Sequence, residues 1–228
     1  MTGPEFKRAR VASSWTQQDA AQKLRVTQAY LSMIERGNRP VSRELVSRAM
    51  AVFQVPATAL PLGEYHCRPR DASYFKDALG TLGYPGFAYS QVSGKSNPAE
   101  LLMEALDCED LDARVTEALP WLLLAYPELN WGWLTFHAKV RDRQNRLGFV
   151  VELARQVAEK MQNSDLASSL ARQVASLERS RLVAEDTLCK ESMTQAERNW
   201  LRTHRPEAAA HWNLLTDLTV EHLDHAIV

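Results

Sequence analysis

Residues 26–40 read Val26-Thr27-Gln28-Ala29-Tyr30-Leu31-Ser32-Met33-Ile34-Glu35-Arg36-Gly37-Asn38-Arg39-Pro40, and this stretch decides the fold. Thr27 is placed to cap a helix over Gln28 to about Arg36, and Gly37 supplies a left-handed stop. At about 100° per residue, Thr27, Tyr30, Leu31, Ile34 and Glu35 fall on or beside one side. Ala29, Ser32, Met33 and Arg36 point the other way, with Gln28 on the flank. A helix anchored through Leu31 and Ile34 leaves a slender outer face of small and polar side chains. Such a face fits a DNA major groove roughly 12 Å wide, where glutamine can form two hydrogen bonds with adenine. An ordinary solvent-facing helix has the same periodicity, so spacing alone leaves both readings open.

The flanking sequence supplies neighbours for this helix. Thr2 can cap a helix from about Gly3 to Ser13, with Pro4 in the first turn where its missing N–H does no harm. Thr16 caps a second helix, Gln17 to Leu24, whose inward face is Ala20, Ala21 and Leu24, and Arg25 and Val26 join it to the third. A fourth runs from Ser42 with Leu45, Val46, Ala49, Met50 and Phe53 on one stripe, and Pro56 opens a short fifth ending near Leu60. Five short helices in about 60 residues, two of them separated by a tight turn, form a helix-turn-helix arrangement.

Charge separates this segment from the rest. Residues 1–62 carry nine lysines and arginines (Lys7, Arg8, Arg10, Lys23, Arg25, Arg36, Arg39, Arg43, Arg48) against Glu5, Asp19, Glu35 and Glu44. The whole chain of 228 residues has 27 basic and 28 acidic side chains, so the remainder is acidic. A polyanion partner is therefore indicated for the first part only.

From Phe6 to Leu60 the chain resembles the Cro/C1-type (XRE) helix-turn-helix regulators. The resemblance rests on Phe6-Lys7-Arg8-Ala9-Arg10, Trp15-Thr16-Gln17-Gln18-Asp19-Ala20-Ala21, Val26-Thr27-Gln28 and Leu31 to Pro40. It implies a lambda-repressor-like five-helix domain over residues 1–62. It further implies that Thr27, Gln28, Ala29, Ser32 and Met33 face phosphates and base edges. Gln17, Arg25, Arg36, Asn38, Arg39 and Arg43 are the implied phosphate contacts, and Arg10 with Glu35 the implied structural ion pair. Two departures stand out. Arg25 occupies a turn position where the family usually has glycine, at a cost of about 1 kcal/mol for a left-handed residue, while adding a cation that can meet a phosphate. Ala20 replaces a common leucine, which brings the neighbouring helices closer. Family members mostly bind as twofold dimers to palindromic half-sites about 34 Å apart. The resemblance thus implies double-stranded DNA and a second copy as partners.

Residues 63–97 read as a transition, with a tether at Gly63 to Arg70, one helix from Asp71 to Leu82, and a turn at Gly83-Tyr84-Pro85-Gly86. Tyr74, Phe75, Tyr84, Phe87 and Tyr89 argue that this segment packs on something. Residues 98–228 read as all-helical, either a bundle or stacked hairpins, with Asn97-Pro98-Ala99-Glu100 and Thr194-Gln195-Ala196-Glu197 as capping sequences. The spacing predicts helices over Leu111–Ala125, Asn130–Asp142, Leu147–Met161, Asp165–Lys190, Thr194–His204 and Glu207–Leu223, with no strand. Trp121, Trp131, Trp133, Trp200 and Trp212 either fill this core or anchor a partner.

Chemistry is sparse. His222 and His225 with Glu221 and Asp224, and His66-Cys67, lack the clustering a metal needs, and no nucleophile elbow or phosphate loop occurs. No catalysis, metal or cofactor is expected. Ala118 to Pro127, the best apolar run, is about ten residues against the roughly 20 a bilayer requires. Three spaced cysteines (Cys67, Cys108, Cys189) and the lack of an export signal fit the cytoplasm. The expected function is a dimeric DNA-binding repressor. The alternative is an antitoxin whose C-terminal domain binds a toxin while the N-terminal domain represses the operon.

Overall fold

The computed structural model describes residues 3–53, 56–67, 70–88 and 96–223, without the side chains of Arg43, Ser47, Met50 and Ala51. The chain divides into two compact units, Met1–Glu64 with Gly94–Asn97, and Tyr65–Ser93 with Pro98–Val228. Thr2, the expected first cap, and most of the 90–97 loop lie outside the described residues.

The first unit contains α1 (Gly3–Ala12), α2 (Gln17–Lys23), α3 (Gln28–Glu35) and α4 (Arg43–Phe53). The expected fifth helix is a single 3-10 turn, Ala57–Ala59. Phe6, Leu24, Leu31, Ile34, Leu45 and Phe53 form the core, and the Phe6 and Phe53 rings meet edge to face at 5.6 Å. Ala20 and Ala21 are buried in the same core. At Gly3 even a methyl group would lie 1.9 Å from the Ile34 carbonyl oxygen, so α1 starts hard against the end of α3.

The second unit contains α5 (Ala72–Leu82), α6 (Pro98–Leu106), α7 (Ala113–Ala125), α8 (Trp131–Val140), α9 (Gln144–Lys160), α10 (Ser164–Glu178), α11 (Gln195–His204) and α12 (Glu207–His211). The expected transition segment thus contributes α5 to this unit, where Phe75, Ala78, Leu79 and Leu82 are buried. Asp71 caps α5 and Gly83, at φ +102°, ends it. The three residues 161–163 turn α10 back along α9, whose length is largely buried. At Gly148, in the second turn of α9, an added methyl group would stand 2.3 Å from the Trp212 ring, so only glycine admits that fully buried indole.

Three expectations are corrected here. The helix expected over Asp165–Lys190 ends at Glu178. Side chains of α9 intercept the backbone beyond it: Gln144 donates to the Ser180 carbonyl at 3.1 Å, and Asn145 both donates to the Leu182 carbonyl and accepts from its N–H. The helix expected over Glu207–Leu223 ends at His211, where Asn213 takes φ +53°. The chain then pairs β2 (Leu214–Leu215) in parallel with β1 (Asp186–Thr187), so a minimal sheet exists where no strand was expected. Two residues are too few for any alternation to show.

Arg146 holds this junction together. Its guanidinium is fully buried. It donates to both Asp186 carboxylate oxygens at 2.7 and 2.8 Å, to Glu191 at 2.9 Å, and to the carbonyls of Leu106 and Cys108 at 3.0 and 2.8 Å. One side chain on α9 therefore ties the end of α6 to β1 and the loop after it. Burial favours the neutral forms of Arg146 and Asp186, but their mutual hydrogen bonds together with the attraction of the surrounding opposite charges outweigh it, raising the first pKa and lowering the second.

Candidate nucleic-acid interface

Local capping builds the interface. The Thr16 hydroxyl accepts from the Asp19 N–H at 3.2 Å to start α2, and the Thr27 hydroxyl accepts from the Tyr30 N–H at 3.2 Å to start α3. Between them Arg25 adopts φ +55°, a left-handed residue in the turn where glycine is usual. Gly37, at φ +79°, closes α3: its N–H donates to the Ile34 carbonyl at 2.8 Å, and the Asn38 N–H to the Met33 carbonyl at 2.9 Å. These bonds satisfy helix-end groups that would otherwise need water.

The two sides of α3 are sharply divided. Leu31, Ile34 and Glu35 are buried, whereas Thr27, Gln28, Ala29 and Met33 are exposed and Ser32 is half-buried. The Gln28 side chain is exposed to solvent. Arg25 precedes the helix, and Arg36, Asn38 and Arg39 follow it, all exposed. Arg43 is the first residue of α4; its side chain lies outside those described. Four of the implied phosphate contacts therefore flank both ends of the implied reading face.

Arg10 and Glu35 fix α1 to the last turn of α3. The guanidinium donates to the two Glu35 oxygens at 2.6 and 3.0 Å, and a third bond reaches the Trp15 carbonyl at 2.6 Å. Gln17, the implied phosphate contact on α2, donates its amide to the same carboxylate at 2.8 Å. Its orientation is thus set by the ion pair. Burial alone would raise the Glu35 pKa, but the bonds from Arg10 and Gln17 outweigh it and hold the carboxyl below the ordinary glutamate value. The bond to Glu35 correspondingly raises the Arg10 pKa.

The sequence reading did not single out Lys7. This exposed cation of α1 is close enough to stabilise the Glu35 charge, which puts it beside the Arg10–Glu35–Gln17 cluster. Its sequence signals are its place in the Phe6-Lys7-Arg8-Ala9-Arg10 stretch and its position three residues before Arg10, on the same helix face.

Among the described residues no three His, Cys, Asp or Glu side chains gather to hold a metal ion, and no helix is long and apolar enough to cross a membrane. Asp224 and His225 lie outside the described residues. No curated protein and no solved structure shows a significant match to the chain. Residues 6–60, from α1 to the 3-10 turn that closes the first unit, match the helix-turn-helix family model of the Cro/C1 (XRE) type.

Proposed function

We propose that the chain is a sequence-specific transcriptional repressor that binds a palindromic operator as a homodimer. The helix-turn-helix match supports the DNA-binding regulator in this reading. The observation that carries the reading further is the division of α3, with Leu31 and Ile34 buried while Gln28, Ala29 and Met33 stand exposed between Arg25 and the Arg36–Arg39 segment. Gln28 reads a base edge, and Ser32 and Met33 contribute apolar and polar contacts beside it. Ala29 and Met33 offer little hydrogen bonding, so specificity also draws on DNA shape. Gln17, Arg25, Arg36, Asn38, Arg39 and Arg43 hold the phosphates on either side. Two copies place their α3 helices about 34 Å apart, one helical turn of DNA, and cover a promoter by occupancy.

Two variants separate the two kinds of contact. Gln28→Ala weakens binding to the selected operator by about 1–3 kcal/mol and relaxes base preference, while binding to random DNA stays the same. Arg39→Ala weakens binding to all sequences and lowers the slope of log K against log salt by about one. Titrations at several salt concentrations on specific and random duplexes read both effects. Equal losses from Gln28→Ala on the two duplexes would remove it as a base reader.

A further inference from the structure

We infer that a groove in the second unit, between the start of α7 and α11, binds an organic cation with an apolar body. The groove has a volume of about 1010 Å³. Sites for drug-sized molecules span roughly 300–1,000 Å³, so the space suits such a ligand. Its floor is apolar, made by Leu188, Leu201, Leu215 and Leu218, all buried. Trp200 stands in the wall and is 52% exposed. His204 stacks on one face of that indole, with centroids 4.4 Å apart and planes within 3°. His204 covers one face of the indole, and Trp200 itself lines the groove.

Charge selects the ligand. Five carboxylates line the groove, those of Asp110, Asp112, Glu117, Glu197 and Asp217, and Lys190 is the one lysine or arginine among the lining residues. Three of the five are engaged. Asp110 accepts from the Ser192 N–H and hydroxyl at 3.0 and 2.6 Å, and Asp112 accepts from Lys76 at 2.8 Å. Glu197 completes the α11 capping box with Thr194 and stands 3.7 Å from the Lys190 ammonium. Glu117 and Asp217 have no hydrogen bond or ion pair among the described residues. An anion in this groove meets uncompensated negative charge. A neutral apolar molecule covers the floor but strips water from two carboxylates without replacing it. A cation with an apolar body satisfies both surfaces, resting on the indole while its charge faces Glu117 and Asp217. The site belongs to the second unit alone, and its ligand binding is independent of whether the first unit reads DNA.

Isothermal titration of the full chain with a matched set of probes tests this. Tetraphenylphosphonium and tetraphenylborate share size and shape with opposite charge, and triphenylphosphine oxide is a neutral relative. The phosphonium saturates one site per chain, binds at least about tenfold tighter than the oxide, and the borate does not bind. The double variant Glu117→Gln with Asp217→Asn loses about tenfold in phosphonium affinity and keeps its affinity for the oxide. Among the described residues neither side chain has a protein partner to lose, so the variant keeps its fold, as unchanged far-ultraviolet dichroism verifies. Trp200→Ala weakens phosphonium and oxide alike. Equal affinity for all three probes, an unchanged phosphonium affinity in the double variant, or no saturation below millimolar concentration overturns the assignment. So does a lysine- and arginine-rich amphipathic peptide that binds where the phosphonium does not, which would make the groove a protein-docking surface.

Discussion

Glu35→Ala destabilises the first unit by about 3–5 kcal/mol, because it leaves the Arg10 guanidinium buried with no opposing charge. The Arg10 and Glu35 side chains are only 9% and 2% exposed, so solvent does little to replace the lost partner. Three hydrogen bonds go with the carboxylate, two from Arg10 and one from Gln17. Amide hydrogen exchange is the suitable measurement because it localises the loss. Protection in residues 3–53 falls by about a hundredfold or more, since each 1.4 kcal/mol is a factor of ten, while protection in α9 is unchanged. The double variant Arg10→Met with Glu35→Leu recovers most of the loss, since a buried pair can be exchanged for apolar side chains at little cost. A double variant no better than the single one would show that the pair contributes through something other than charge.

Acid has a related effect with a definite sign. The folded-state pKa of Glu35 lies below the ordinary glutamate value, so its contribution is complete above that ordinary value. It is lost as pH falls through the lowered folded value. Asp186 beside Arg146 behaves in the same way, and both units are destabilised on the acidic side.

Arg146→Met has the second large effect, about 3–5 kcal/mol on the second unit. Methionine fills much of the same space without charge, so the loss reports the guanidinium and its hydrogen bonds. Asp186 keeps the Thr187 N–H at 2.7 Å, but its nearest remaining cation is Arg143, 4.0 Å away, and the Leu106 and Cys108 carbonyls lose the guanidinium donor. Five of the six tryptophans lie in this unit, Trp212 among them and fully buried, so tryptophan emission during urea unfolding reports the unit's stability. The midpoint moves to lower urea with an unchanged slope. An unmoved midpoint would mean that the β1 junction does not depend on Arg146.

The first unit was legible because its signals are local. Thr16 and Thr27 each need only the residues three positions on to act as caps, and Gly37 needs only its own backbone freedom. The division of α3 follows from periodicity across eight residues, which tertiary contacts reinforce. The second unit was legible only where the same rule held, as at Thr194, whose capping box with Glu197 starts α11. Gln144-Asn145-Arg146 reads as a polar loop before a helix, yet all three are buried. They are polar because they bind backbone from residues 106–108 and 180–182, far away in sequence. The same contacts end α10 early, so one unread triplet accounts for both the missed start of α9 and the overlong α10. The groove beside Trp200 assembles from three separate segments, residues 110–117, 188–201 and 215–222, which no single stretch announces.

Whether α3 reads base pairs is decided by selection from genomic DNA. The purified chain is mixed with fragmented genomic DNA and excess scrambled competitor at moderate ionic strength, and the bound fragments are sequenced. A small set of fragments sharing a palindromic element with half-sites one helical turn apart is enriched if α3 reads bases. Recovery of fragments in proportion to their abundance, with no shared element, would contradict base reading by α3.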